Sequence, residues 1–240
     1  RYTFGGLMVD EKVRPLVLAI AGSDPTGGAG VHADLEAIRK MGGEGVYAIT
    51  AITAQDEESV LTIHPTPADV LSQQLAVAVR LRNPSAIKIG MVATLSNAKL
   101  VSWFLRRFKD EPVVLDPVLH SSSGYPLLES DAMSYFRQNL LPLVSVITPN
   151  RMEAEILAGQ KIKSVKTMEA ASEVIYKEIK AIRGKRPFAV IIKGGHMDGD
   201  DVLDVLYDGE VYSSDTKQSV PVDRYREVTN EFTMAHSTTK

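Results

Sequence analysis

Apolar positions along this chain follow two rhythms that alternate. Short runs rich in β-branched residues at 17–20, 45–53, 86–90, 112–115, 144–148 and 188–193 read as strands. Between them, 29–41, 67–80, 96–108, 130–141, 150–157 and 167–183 read as helices. Val31, Leu35 and Ile38 share one face of the first helix, and Leu71, Leu75 and Val79 share one face of the second. Asp69 suits the positive end of that second helix, and Ser96 or Asn97 is the expected cap of the third. Segments 202–207 and 210–212, joined through Asp208-Gly209, predict a hairpin at a sheet edge. Strand and helix alternating in this way predict a mostly parallel sheet with helices on both faces, in one α/β domain.

In open α/β sheets, ligands bind beyond the carboxyl ends of the strands. The strand list therefore nominates site residues. After the first strand comes Ala21-Gly22-Ser23-Asp24-Pro25-Thr26-Gly27-Gly28-Ala29-Gly30. It is not a P-loop, because Gly-Ala follows Gly27 where Lys-Ser/Thr is required, and its glycine spacing is not the dinucleotide fingerprint. The glycines serve either a tight helix-on-strand turn or a close backbone approach to a ligand. Asp34, one turn into the helix, is placed to face such a ligand.

Gln55 follows the second strand and offers both a donor and acceptors, as a heteroaromatic edge needs; taken alone it is a solvated loop amide. Met91 follows the third strand, either as core or as a thioether packed on a ring. Asp116 ends the fourth strand, before Pro117-Val118 and the small residues Ser121-Ser122-Ser123-Gly124. Asn150 and Glu153 have the spacing of an N-cap with its capping-box partner, and equally supply oxygens for Mg²⁺, which takes one or two carboxylates with water and phosphate. Lys193, followed by Gly194-Gly195-His196, is either a solvated cation or a phosphate ligand, and His196 is expected to be structural. All six clusters fall at strand ends that share one sheet edge.

Composition narrows the picture only at its margins. The 240 residues are 44% hydrophobic and 24% charged, with a net charge of -3, so no nucleic-acid or anionic-membrane surface is expected. No apolar run has the length of a membrane span. Zero cysteines exclude disulfides, thiolate metal sites and a cysteine nucleophile, and fit a reducing, cytoplasmic setting. Met8 is a candidate natural start, so residues 1–7 are set aside from fold reasoning.

With these stretches in hand, the sequence from about 17 to 209 resembles the ribokinase-like hydroxymethylpyrimidine and phosphomethylpyrimidine kinases of thiamine biosynthesis. The resemblance rests on the glycine-rich stretch with Ala33-Asp34-Leu35, Ile49-Thr50-Ala51 through Gln55, and Lys88-Ile89-Gly90-Met91. It continues through Leu115-Asp116-Pro117-Val118, Ile147-Thr148-Pro149-Asn150 with Glu153-Ala154, and Lys193-Gly194-Gly195-His196. It implies a ribokinase-like fold and ATP-dependent phosphorylation of 4-amino-5-hydroxymethyl-2-methylpyrimidine, its monophosphate, or both. Gly22, Asp34, Gln55, Met91 and Val118 match positions that hold the aminopyrimidine. Asn150 and Lys193 match the ATP-phosphate neighbourhood, and Asp116 and Glu153 match the neighbourhood that supports Mg²⁺. Related kinases take pyridoxal, and dimers are common in the family, so pyridoxal phosphorylation and a homodimer are further expectations.

Two departures bear on turnover. Where the family's bacterial pattern carries Lys and then Ser-Gly-Asp, this chain has Ser122, Ser123, Gly124 and Tyr125. The family's glycine-rich anion-hole run with its Cys or Asp also has no match, since no glycine follows Gly209. Asp223 is the only aspartate near the expected place, and His236-Ser237-Thr238-Thr239-Lys240 is a faint echo of the run. Three readings follow: an active kinase with an altered or lost C-terminal segment, a pyrimidine-binding homologue without turnover, or a subunit completing a kinase with another chain.

Overall fold

The computed structural model describes residues 14–56, 59–80, 82–121, 124–194, 204–209 and 211–213. In chain order the elements begin β1 (Leu16–Ser23), α1 (Gly30–Lys40), β2 (Glu44–Gln55), β3 (Val60–Pro65), α2 (Ala68–Ala78), β4 (Ala86–Ile89) and α3 (Leu95–Leu105). They continue with β5 (Val113–Leu115), α4 (Ala132–Tyr135), β6 (Val146–Ile147), α5 (Arg151–Ala158), α6 (Val165–Arg183), β7 (Ala189–Ile192), β8 (Val205–Tyr207) and β9 (Val211–Ser213). The nine strands form one sheet in the order β3-β2-β1-β4-β5-β6-β7-β8-β9. The six strands from β2 to β7 in that order are parallel, and β3, β8 and β9 extend the two edges antiparallel.

Alternation along each strand sorts the side chains between two faces. Leu18, Ile20, Ile87, Ile89, Leu115, Ile147, Val190 and Ile192 turn to one face, and residues of α2, α3, α5 and α6 complete the core against them. Removing each such Leu or Ile from water stabilises the fold by roughly 1.5–3 kcal/mol, more than the ~1 kcal/mol of a helix cap. Packing on this face therefore outweighs local propensity. The opposite face receives α1, where Gly45 leaves room for the Leu35 and Ile38 side chains. Val114, Val146, Ala189 and Leu206 form a second apolar row. It lies opposite the neighbouring Leu115, Ile147 and Val190, on the α1 side.

Chain direction reverses beside β1: the chain moves outward to β2 and β3, then crosses to β4 on the other side. Helix α1 leaves β1 toward one face and α3 leaves β4 toward the other, which opens a crevice between the two strand ends.

The structure departs from the sequence expectation in four places. Strand β3 is an addition to the expected elements: it pairs antiparallel with β2, and Asp56 Oδ1 accepts the Ser59 N–H at 2.8 Å. Its single neighbour leaves Leu61, Thr62 and His64 exposed, which weakens any periodic signal. The cap of α3 is Thr94, whose hydroxyl accepts the Asn97 N–H at 3.1 Å, rather than Ser96 or Asn97. The expected helix 130–141 is instead α4 followed by a π turn (Phe136–Leu140) and a 3-10 turn (Leu141–Leu143). Pro142 has no N–H to offer the preceding turn, so a regular α-helix does not run through it. Helix α6 begins at Val165, two residues before the expected Thr167, because Ser164 and Thr167 form its capping box.

Leu71, Leu75 and Val79 are buried as expected, and Asp69 lies in the first turn of α2. The edge hairpin is present as β8 and β9. Residues 1–7 lie outside the described residues.

The glycine-rich stretch shows why one glycine is obligatory. Gly30 opens α1 at φ +63°, and a Cβ there would lie 2.3 Å from the Gly22 carbonyl oxygen. The contact is backbone on backbone, so no side chain can yield. Gly30→Ala is expected to destabilise the protein by about 3 kcal/mol or more. Gly28→Ala, whose nearest neighbour is the Thr26 hydroxyl at 3.4 Å, should change stability by less than about 1 kcal/mol. Urea midpoints measured side by side test this, and an unchanged midpoint for Gly30→Ala would refute it.

Candidate active site

The crevice beside β1 has an apolar floor. Met91, just past β4, is buried with Ala51, Ala93 and Leu127, and Val118 packs against the same group. Gly22 faces this floor: a Cβ there would stand 3.1 Å from Met91 Sδ. Thr50 donates its hydroxyl to the Met91 carbonyl, and Asn97 Nδ2 donates to the Thr50 carbonyl at 3.1 Å. Met91 is thus held from β2 and from α3. Ala93 carries φ +72°, the left-handed region, between Met91 and the Thr94 cap. Gln55 ends β2 on the same edge, half-buried.

A row of ionic groups crosses the edge on the α1 side. Asp34 receives Lys88 on both oxygens, at 2.7 and 2.8 Å. Asp116 Oδ1 receives Lys193 Nζ at 2.8 Å and the Thr148 hydroxyl at 3.3 Å. Burial raises the Asp34 carboxyl above its ordinary pKa; the charge and hydrogen bond of Lys88 oppose this, and Asp116 adds to it.

Asn150 and Glu153 form the reciprocal capping box of α5: the Asn150 side chain accepts the Glu153 N–H at 2.9 Å, and Glu153 Oε2 accepts the Asn150 N–H at 2.8 Å. Glu153 Oε1 also accepts the Leu119 N–H at 3.3 Å, which ties the loop after β5 to α5. Only 3% of Glu153 is exposed, and burial pushes its carboxyl up to about 7, with Asp116 adding to the rise while the backbone bonds and Lys193 oppose it. The structural use of this pair is therefore present, and the Asp116–Lys193 pair lies within its electrostatic reach. Lys193 joins Asn150 directly through a parallel backbone bridge.

The geometry thus splits one edge into two halves. Gln55, Gly22, Asp34 and Met91 occupy the β2-β1-β4 half; Asn150, Glu153 and Lys193 occupy the β6-β7 half; Asp116 and Val118 meet at β5 between them. Among the described residues no group of three or more His, Cys, Asp or Glu side chains gathers as a metal cage. Asp116, a carboxylate with its side chain 28% exposed, has the chemistry of a single-carboxylate ligand for a hard cation.

A model of the family described as phosphomethylpyrimidine kinase matches residues 24–227. The chain belongs to the phosphomethylpyrimidine kinase family. It is 36% identical over 197 residues to a hydroxymethylpyrimidine/phosphomethylpyrimidine kinase of Aquifex aeolicus, covering 82% of this chain and 74% of that one. A Rhizobium meliloti kinase of the same name is 37% identical, with 81% and 71% covered. The crystal structure of a Clostridium difficile phosphomethylpyrimidine kinase superposes with a TM-score of 0.73 at 35% identity, covering 83% of this chain and 84% of that one. A Staphylococcus aureus pyridoxal kinase in complex with AMP-PCP and pyridoxal superposes at 0.71 and 34% identity, with 83% and 70% covered. The ribokinase-like fold expected from the sequence is therefore the fold of this kinase.

Two neighbours of the nominated residues belong to the same ionic row. In the sequence, Lys88 and Thr148 each stand out only as members of a longer motif; in the structure each donates to an acid of the row. The signal for Lys88 was present in the sequence, as a lysine between Ile87 and Ile89 in a strand that is otherwise apolar. His196, Gly195, Ser122, Ser123, Asp223 and the 236–240 stretch lie outside the described residues.

Glu153 yields a pH prediction. Its ordinary value is 4.5 and its folded value about 7, so between these the folded state holds a proton that the unfolded chain has released. Its contribution therefore falls by about 3 kcal/mol as pH rises through that window, and levels above it. The stability difference between wild type and Glu153→Gln should change across pH 4.5–7 and be constant above pH 8. A pH-independent difference in urea unfolding would show that Glu153 titrates normally.

Proposed function

We infer that this kinase transfers the γ-phosphoryl group of ATP to the hydroxymethyl oxygen of 4-amino-5-hydroxymethyl-2-methylpyrimidine, and again to the resulting monophosphate. The observation that carries the reading is the divided edge: an apolar floor with polar borders beside a charged half, meeting at Asp116 and Val118. Met91 and Val118 would pack on the ring, and Gly22 would let the backbone come close to it. Asp34 would accept from the exocyclic amino group, with Gln55 as the complementary donor and acceptor. Lys193 and Asn150 would hold the phosphates. Phosphoryl transfer needs positioning and charge neutralisation more than covalent chemistry, and these residues supply both.

The donor set suits Mg²⁺: Asp116 would hold the ion, with Glu153 adding negative charge from behind its two backbone bonds. A bound Mg²⁺ neutralises phosphate charge. ATP, a small pyrimidine and a cysteine-free sequence are in keeping with the cytoplasm. The likeness to pyridoxal kinases supports a second reading, in which the same crevice takes pyridoxal.

The deciding experiment is mass spectrometry of the products formed from the pyrimidine, or from pyridoxal, with ATP and Mg²⁺. Mono- and then diphosphate of the pyrimidine are expected. Binding without product would indicate a pyrimidine-binding homologue, and activity only on mixing with a second chain would indicate a subunit. Asp34→Asn should lower kcat/KM for the pyrimidine by about 10- to 100-fold, the cost of losing a charged acceptor. An unchanged value would overturn the substrate reading.

A further inference from the structure

We propose that Lys88 is a positioning residue of the pyrimidine site: it fixes both oxygens of Asp34 in the crevice and keeps that acid an acceptor. The inference rests on the reading that Asp34 holds the substrate. Lys88 lies in the middle of the parallel sheet, paired in register with Ala19 of β1 and Val114 of β5. Only 20% of its side chain and 15% of that of Asp34 are exposed. A lysine so placed carries a large desolvation cost unless it is paired, and the pair it forms is bidentate. Gly90, next on the same face, leaves the space that the ammonium uses: a Cβ there would stand 3.0 Å from Lys88 Nζ and 3.1 Å from Ala21 Cβ.

A buried ion pair is a weak source of stability compared with apolar residues of the same volume, so stability alone gives little reason for one here. Its position gives a better reason. The pair spans from α1 to β4, the two elements that bound the crevice at the strand reversal. A carboxylate has about four lone-pair sites, and Lys88 takes one on each oxygen. Ionised, Asp34 offers only acceptors to an amino group; protonation turns one oxygen into a donor, which would set a donor against a donor wherever that oxygen faces the amino group.

Burial pushes Asp34 toward the protonated form, and Lys88 is the group that opposes it. Among the described residues, the other charge whose field reaches Asp34 is Asp116 at the end of β5, which favours protonation. Of the strands beneath α1, β1 has no ionisable side chain, while β2 contributes the exposed Tyr47 and Glu44, the latter held by Arg82 at 2.6 Å.

The test is calorimetric binding of the aminopyrimidine to the whole chain at pH 6, 7 and 8. Wild type and Lys88→Arg should bind with nearly pH-independent affinity. Lys88→Met should bind at least about tenfold more weakly at pH 6 and regain affinity as pH rises, by up to about tenfold per unit. In turnover the loss should appear in KM rather than kcat.

An equal loss at every pH, or no loss, would overturn the proposal. If Lys88→Met does not fold, the double variant Asp34→Asn/Lys88→Met removes both charges together. It should bind like Asp34→Asn alone, and a further independent loss would again overturn the proposal. Normal binding by Asp34→Asn removes the substrate reading and this proposal with it. Impaired binding by Asp34→Asn with a pH-flat Lys88→Met removes this proposal only.

Discussion

Parallel pairing of six strands sends their carboxyl ends to one edge, and every charge placed there must be satisfied where the sheet excludes water. The row Asp34, Lys88, Asp116, Lys193 meets that demand by alternating in sign across α1, β4, β5 and β7. Each acid has a lysine, and Asp116 is close enough to Asp34 to affect its ionisation. The edge therefore behaves as one electrostatic unit. A phosphorylated or cationic ligand arriving at Asp116 or Lys193 would perturb the pairs beside it.

Glu153 is held by the fold from two sides, through the capping box of α5 and through the Leu119 N–H. Burial leaves its carboxyl raised to about 7 even with the backbone bonds of the cap and of Leu119 in place. At 3% exposure, burial thus outweighs what these bonds return to the carboxylate. Its bond to Leu119 adds a tether on the loop that carries Val118, so Glu153 links the floor of the crevice to the charged half. Perturbed acids of this kind concentrate where charge is to be handled.

Elements with strong periodic signals were legible in the sequence, because each of their faces meets one environment. Helix α2 places Leu71 and Leu75 on the core, and β1 is an apolar run buried along nearly its whole length. Strand β3 was not legible because its edge position leaves half of its residues exposed and none buried. The α3 cap was missed for a narrower reason: Thr94, Ser96 and Asn97 are all capping types, and only the turn out of β4, with Ala93 left-handed, selects among them. The helix after β5 had the right residues, but Pro142, immediately past its expected end, changes which hydrogen bonds are available there.

For the site, the sequence supplied the inventory. Glycines, acids, an amide, a thioether and a lysine stand at strand ends, and local pattern is enough to find strand ends. What local pattern cannot supply is pairing between residues far apart in the chain. Lys88 meets Asp34 across 54 positions and Lys193 meets Asp116 across 77, and neither contact has a local signature. The strand order decides both contacts, because β4 lies beside β1 and β7 beside β6 only once the sheet is assembled. The glycine-rich stretch divides in the same way. Its composition announced a close approach, and the assembled fold shows that at Gly30 the approaching group is the chain's own Gly22 carbonyl.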